Sequence, residues 1–259
     1  AYRQAIDSDH PEFAPWGAVD LASLLEKLGS PAGARAAYEE AIESGHPDAA
    51  AWAALRFAGL LEKLGDLDEA REAYRQAIDS DHPETAPWAL SSLAALLEEL
   101  GDPEGAKQAY RRAIASDDQE AAPAAAVKLG HLHAKLGELG QAREVWGQAI
   151  ASGHRQAMLG AAISLGGLLK QLGEYEEAEQ AYQKAIDSGD PDVAPWAGLS
   201  LGALLEQRGE FKRAWQVYGH AYSSGHQLVA PVAAAKMDAI GAPSTPPGPP
   251  LDLSSLETT

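Results

Sequence analysis

Apolar residues recur along the chain in two kinds of segment that alternate, and both have helical spacing. In one stretch the recurring residues are Leu90, Leu93, Leu96, Leu97 and Leu100. The following segment has the same spacing, with Ala106, Tyr110, Ala113 and Ile114. Each set forms one apolar stripe, so each segment predicts an amphipathic helix. Pro87 suits the first position of the first helix, and Gly101 followed by Asp102 predicts the turn into the second.

The predicted helix pair repeats along the chain with a fixed period of 36 residues. LLEKLG at 24–29 returns as LLEKLG at 60–65, LLEELG at 96–101, LHAKLG at 132–137, LLKQLG at 168–173 and LLEQRG at 204–209. An aromatic residue keeps the same step at Tyr2, Tyr38, Tyr74, Tyr110, Trp146, Tyr182 and Tyr218. Self-similarity at such a period is typical of solenoids built from stacked units. The sequence therefore predicts an all-α solenoid of antiparallel helix pairs.

The repeat boundaries predict six full pairs with a half unit at each end. Residues 1–8 form a lone second helix, about 229–240 form a lone first helix, and the solenoid spans residues 1–240. Residues 241–259 break the period and include the stretch APSTPPGPP, which predicts an extended or disordered tail.

The spacing of large and small residues in each unit carries a family resemblance. It is clearest at Leu129, Gly130, His133, Gly137, Ala142, Trp146 and Ala149, and at Leu201, Gly202, Leu205, Gly209, Ala214, Tyr218 and Ala221. This pattern resembles the tetratricopeptide repeat family, and the 36-residue unit with its S-G-H turn is also similar to Sel1-like repeats. The resemblance implies a right-handed superhelix whose concave groove binds a protein or peptide partner.

Composition and charge narrow the classes of partner and of chemistry. The chain has 38 acidic against 20 basic residues, so binding to nucleic acid or to an anionic membrane surface is not expected. It has no Cys, which excludes disulfides, thiolate metal sites and cysteine nucleophiles. It also has no Asn, which argues against the groove carboxylate clamp that the resemblance would otherwise suggest. The absence of an export signal makes the cytoplasm the default location, although the chain opens in mid-pattern like a fragment.

The motifs that could suggest catalysis or metal binding favour structural roles instead. Residues 198–202 fit G-x-S-x-G, but Ser200 falls inside a predicted helix and not on the strand-to-helix turn that a nucleophile requires. One histidine per turn recurs at His10, His46, His82, His154 and His226, with Asp118 and Asp190 at the two gaps. Equivalent positions in stacked helices are roughly 10 Å apart, too far to share one metal ion, so each histidine is expected to cap or pack its own turn. We predict no enzyme activity, no cofactor and no metal site.

The resemblance implies that the binding surface is the face that the first helices share in the groove. The groove residues singled out are Trp16, Trp52, Trp88, Trp196, Leu55, Val127, His131, Ile163 and Leu199. Tryptophan is enriched at interfaces, but the alternative is that each indole packs on the neighbouring helix and builds the stack. A possible secondary surface comprises Trp215, Val232 and Met237. A helix or an extended apolar segment is the expected ligand.

Three further hypotheses from the sequence stay open. The lone helices at the two ends could pair between molecules and give end-to-end self-association, and the tail leucines could occupy a groove. The chain could also be a regulatory or sensor arm of a larger multidomain protein.

Overall fold

The computed structural model describes residue 6, residues 10–116 and residues 118–241, and these ranges contain thirteen α-helices and no strand. The chain divides into two compact units, residues 1–136 and residues 137–259. Unit 1 contains α1 (Phe13–Lys27), α2 (Pro31–Glu43), α3 (Pro47–Leu64), α4 (Leu67–Asp79), α5 (Thr85–Glu99), α6 (Pro103–Ile114) and α7 (Ala121–Lys135). Unit 2 contains α8 (Leu139–Ala151), α9 (Arg155–Leu172), α10 (Tyr175–Asp187), α11 (Val193–Gln207), α12 (Phe211–Ser223) and α13 (Val229–Ile240).

The all-α prediction is confirmed, and the lone first helix expected near 229–240 is α13. The lone second helix predicted at 1–8 lies outside the described residues except for Ile6, which is helical. The predicted tail also lies outside the described residues, except for Gly241. A single solenoid over 1–240 with six full pairs stays a prediction.

Helices in unit 1 pack in pairs, and each pair packs on the next. The pairs are α1 with α2, α3 with α4 and α5 with α6, and each second helix also contacts the first helix that follows it. The first helices α1, α3, α5 and α7 contact one another in succession, whereas α2, α4 and α6 make no such contacts within the described part of the chain. The first helices therefore form a continuous row, whose outward surface we call the first-helix face of unit 1.

Unit 2 repeats this packing order with its own helices. The second helix α8 packs on α9, α9 pairs with α10, and α11 pairs with α12. The last helix, α13, packs on α12 and α11, and α9 also contacts α11 directly. The helices α9, α11 and α13 thus form a second row, whose surface we call the first-helix face of unit 2.

Helix ends are set by glycines and by the turn residues. At the end of α3, Gly65 adopts φ of 86°, a left-handed conformation that an L side chain rarely takes, and its N–H bonds back to Glu62. Helix α5 begins at Thr85, so the expectation that Pro87 opens it is wrong. The helix starts earlier because His82 Nδ1 accepts the Thr85 N–H at 3.3 Å. Pro87 is third in the helix, where an amide N–H has no intrahelical partner to lose.

Buried aromatic side chains lie in the core of the helix pairs, and in unit 2 they are seated against glycines. Tyr38, Tyr110 and Tyr218 are at most 1% exposed, and burial of such rings supplies much of the apolar stabilisation. In unit 2 the seat is a glycine: a Cβ at Gly202 would lie 2.6 Å from Cδ1 and 2.8 Å from Cζ of Tyr218. Because glycine has no side chain, the two helices of this pair can approach each other closely at this position.

Candidate protein-binding surface

A row of tryptophans runs along the first-helix face of unit 1. Trp16 on α1 is 37% exposed and Trp88 on α5 is 39% exposed, while Trp52 on α3 lies between them and is partly buried. Each occupies the same repeat position, 36 residues from the next. Trp16 and Trp88 therefore keep more than a third of their surface exposed, whereas Trp52 is more covered.

The turn histidines fix the start of each first helix. His46 Nδ1 accepts the Ala49 N–H at 3.2 Å, which caps α3, and His226 Nδ1 accepts the Val229 N–H at 3.3 Å, which caps α13. Where the sequence has Asp118, its carboxylate accepts the Ala121 N–H at 2.6 Å and caps α7 in the same way. The expectation that each histidine caps its own turn is confirmed at these positions.

The same histidines also contact the preceding repeat. The imidazole of His46 meets the Trp16 indole edge to face, with ring centroids 6.2 Å apart, and His46 Nε2 lies 3.4 Å from Glu12 Oε2. In unit 2, His226 meets Trp196 in the same geometry at 6.0 Å. Because His46 Nδ1 accepts a backbone N–H, the ring proton is on Nε2, which donates to the Glu12 carboxylate. Each such histidine thus holds a tryptophan and a carboxylate in place together.

The other edge of each face carries glutamates held by buried tyrosines. The hydroxyl donates to a glutamate twelve residues earlier in four repeats, with Oη to carboxylate distances of 2.5 Å (Tyr38 to Glu26), 2.7 Å (Tyr74 to Glu62), 2.8 Å (Tyr110 to Glu98) and 2.9 Å (Tyr218 to Glu206). Burial, together with the bond to Glu26, raises the pKa of Tyr38 to about 12. The hydroxyl is therefore a protonated donor at neutral pH, and it holds a glutamate carboxylate that stays only partly exposed and, for Glu26 and Glu206, also pairs with a lysine.

These Tyr–Glu pairs were missed in the sequence, although a signal for them exists there. In the fourth repeat both positions change together, to Ala134 and Trp146. In the fifth, Lys170 replaces the glutamate, and only burial raises the pKa of Tyr182.

The other predicted residues of the unit 1 face divide by exposure. Leu55 and Val127 are partly buried, and His131 is exposed. Desolvation lowers the pKa of His131, and the negative charge of Glu98 opposes this shift. The neighbouring His133 is 2% exposed, as expected for two residues that are two positions apart on a helix. Most side chains along the centre of this face are thus apolar, and charged side chains lie along both edges.

The first-helix face of unit 2 has fewer exposed indoles. Ile163 is 39% exposed, whereas Trp196 and Leu199 are partly buried against the core cluster of this unit. Of the possible secondary surface, Met237 packs on that same cluster, Trp215 is partly buried, and Val232 is 46% exposed. A role of these residues in binding stays a prediction.

The serine of the G-x-S-x-G match lies within a helix, as the sequence predicts. Ser200 lies inside α11, and its Oγ hydrogen-bonds to the carbonyl of Trp196 at 3.1 Å, one helical turn earlier. Across residue 6, 10–116 and 118–241, no three His, Asp or Glu side chains cluster closely enough to hold a metal ion. Within the same ranges no helix is both long and apolar enough to cross a membrane.

Stacked 36-residue helix pairs with an exposed aromatic row define an α-helical repeat protein. The family model described as tetratricopeptide repeat matches the chain at residues 19–83, 55–126, 91–154, 127–193 and 164–222. These overlapping matches cover well over half of the 259 residues. The chain therefore belongs to the tetratricopeptide repeat family, while the additional similarity to Sel1-like repeats stays a prediction.

Solved structures support the same fold. The crystal structure of the MamA protein has a TM-score of 0.50 and 21% identity, covering 67% of this chain and 91% of that one. A second crystal structure of MamA has a TM-score of 0.50 and 20% identity, covering 66% and 95%. A tetratricopeptide repeat protein from Parabacteroides merdae ATCC 43184 has a TM-score of 0.50 and 18% identity, covering 87% and 98%. None of the curated proteins compared matches the chain. At these identities the similarity concerns the fold alone.

Proposed function

We propose that this chain is a protein-interaction scaffold that binds a peptide segment of a partner along the first-helix face of unit 1. The observation that carries the proposal is the tryptophan row, in which Trp16 and Trp88 stay 37% and 39% exposed at equivalent repeat positions. Indoles offer large, rigid contact area at little conformational cost, which is why they concentrate binding energy at interfaces. Their repetition at one position per helix pair suits a ligand that runs along several repeats.

The edges of this face support binding over catalysis. The histidine caps and the Tyr–Glu pairs hold its side chains in one arrangement, which lowers the ordering cost of association. The hydroxyl of Ser200 in the G-x-S-x-G match hydrogen-bonds to a backbone carbonyl of its own helix. The groove residues Leu55, Val127 and His131 complete the proposed surface in unit 1, and Ile163, Trp196 and Leu199 form the corresponding strip in unit 2.

A peptide-display selection against the immobilised full chain tests this proposal. Selected peptides should bind the native chain and lose at least tenfold in affinity with the Trp16→Ala, Trp88→Ala double variant, because each truncation removes a buried contact. Phe211→Ala is the matched control, since this aromatic is 53% exposed but lies on the second helix α12. Peptides that bind the double variant as well as the native chain would place the interaction elsewhere.

Self-association through the ends is the second candidate function. It is motivated by α13, the last described helix, where Leu228 just before it is 67% exposed and Val232 is 46% exposed. Its proposed partner surface at residues 1–8 lies almost wholly outside the described residues. A molar mass that stays that of one chain at all concentrations would exclude this candidate.

A further inference from the structure

The tryptophans of unit 1 are each preceded by a carboxylate on the same helix face. Glu12, Asp48 and Glu84 lie four residues before Trp16, Trp52 and Trp88, respectively. Glu12 and Glu84 have helical backbone angles, so each lies one turn before its indole, with Cβ atoms roughly 5–6 Å apart. The side chain of Glu12 is 71% exposed and that of Asp48 is 56% exposed. Each repeat therefore presents an indole beside an accessible anion.

The arrangement around Trp16 is held in place before any ligand arrives. His46 contacts the Trp16 indole with its ring and the Glu12 carboxylate with Nε2. The same ring accepts the Ala49 N–H at the start of α3, so the imidazole is fixed between the helix start, the indole and a carboxylate that is itself 71% exposed. Asp20, four residues after Trp16, is exposed and adds a second carboxylate on the other side of the indole.

The middle tryptophan already carries a cation from its own chain. The Arg56 guanidinium lies over the Trp52 ring, 5.9 Å from its centroid. Arg56 comes four residues after Trp52, and the equivalent positions after Trp16 and Trp88 are Asp20 and Ser92, neither of which is cationic. Trp16 and Trp88 are also more exposed than Trp52. Trp16 and Trp88 thus lie beside carboxylates, as in a cation site, and each stays more than a third exposed.

On the basis of the proposed function, we propose that the partner segment is a basic, extended peptide whose Arg or Lys side chains stack on Trp16 and Trp88. The complementary charge is supplied by Glu12 and Asp20 at the first site and by Glu84 at the second. The net charge of −18 adds long-range attraction for such a segment.

The packing of the first helices sets the spacing of the two basic residues. Trp16 and Trp88 are two helix-packing steps apart, which is roughly 20 Å at about 10 Å per step. An extended chain advances about 3.3 Å per residue, so the two basic residues are about six positions apart. In the polyproline II form of an extended chain, which repeats every three residues, the residue midway between them lies on the same side and faces Trp52 and Arg56, where we expect a third cation to be repelled.

Fluorescence anisotropy with synthetic peptides and the full chain tests this inference. The probe is a labelled Ser/Pro-rich peptide with two arginines about six positions apart. The comparison peptides carry citrulline, leucine or glutamate in place of both arginines. We expect the arginine peptide to bind at least tenfold more tightly than the citrulline peptide, and its affinity to fall as salt is added. A third arginine placed midway should weaken binding.

The protein variants separate charge recognition from a structural effect. The double variant Glu12→Gln, Glu84→Gln should bind the arginine peptide about tenfold more weakly, because each site loses the negative charge beside its indole. Neither glutamate caps its helix through its side chain, so both substitutions leave the fold intact. The double variant Glu40→Gln, Glu72→Gln is the matched control, because both side chains are exposed on second helices, α2 and α4, and the charge change is the same. It should bind the arginine peptide as the native chain does.

The outcomes distinguish this inference from the proposed function. If the leucine peptide binds as tightly as the arginine peptide and binding depends on Trp16 and Trp88 but not on the glutamates, the scaffold function stands and the basic partner is wrong. If no peptide depends on either tryptophan, both proposals fail. If binding is tightest when the two arginines are about fourteen positions apart, the ligand is helical and the extended conformation is wrong.

Discussion

Two adjacent glycines on α9 should respond in opposite directions to the same substitution. A Cβ at Gly166 would lie 2.6 Å from Cε1 and 2.8 Å from Cε2 of Tyr182, and closer still to Cζ. A Cβ at Gly167 would meet nothing within 4 Å. Both glycines lie inside the helix with ordinary negative φ, so alanine has no backbone strain at either position.

The free energies follow from these contacts. Alanine in a helix interior is about 1 kcal/mol more favourable than glycine, and both variants gain this amount. Gly166→Ala additionally forces Tyr182, which is 4% exposed, out of its seat, and such overpacking costs about 1–3 kcal/mol. Gly167→Ala should therefore stabilise the chain by about 1 kcal/mol, and the difference between the variants, in which helix propensity cancels, is about 1–3 kcal/mol.

Urea unfolding followed by circular dichroism measures this difference, and native-state hydrogen exchange locates it in α9 and α10. Exchange is informative because a repeat protein gains and loses stability locally. Tyr182→Ala provides the control: without the ring, the two alanine substitutions should have the same effect. If Gly166→Ala were as stable as Gly167→Ala in the native background, the close approach of Tyr182 would not be the reason for the glycine.

Two further expectations concern single side chains of unit 1. Thr85 is fully buried and its hydroxyl has no hydrogen-bond partner among the described residues, so Thr85→Val should raise the free energy of unfolding by about 1 kcal/mol. Val193 and Val229 fill the equivalent position in unit 2, and an unchanged urea midpoint would argue against an uncompensated hydroxyl. His46→Asp should keep the α3 cap as Asp118 does for α7, whereas His46→Ala should lose about 1 kcal/mol in the same assay. Equal losses in both variants would contradict the capping role.

The repeating helix pairs could be predicted from the sequence because helical periodicity and a fixed 36-residue step are both one-dimensional signals. The first residue of each helix was harder to predict. At α5 the proline suggested a start at Pro87, but the start was set by a histidine ring nitrogen acting as an acceptor three residues before Thr85.

The positions of the candidate site residues could be predicted from the sequence, but their exposure and contacts could not. Helical spacing places Trp16 and Trp88 on one face, but their exposure depends on how closely the next first helix approaches, which periodicity does not encode. The carboxylates before each indole and the Tyr–Glu pairs were overlooked because a charged residue near a helix start or end usually indicates only solvation. Their partners lie on other helices, so only packing reveals the contacts.

The turn between the two helices of a pair has the same geometry in successive repeats, and this has a consequence for the evolution of chain length. The Asp66 N–H bonds to Leu61 at 2.9 Å after Gly65, and the Asp102 N–H bonds to Leu97 at 2.8 Å after Gly101. Removing residues 66–101 would join Gly65 to Asp102, which recreates the original Gly–Asp junction and leaves every remaining helix a neighbour of the kind it already has. Unequal recombination within such a gene can therefore shorten or lengthen the first-helix face by whole helix pairs while keeping the turn and the kinds of helix contact that the chain already has.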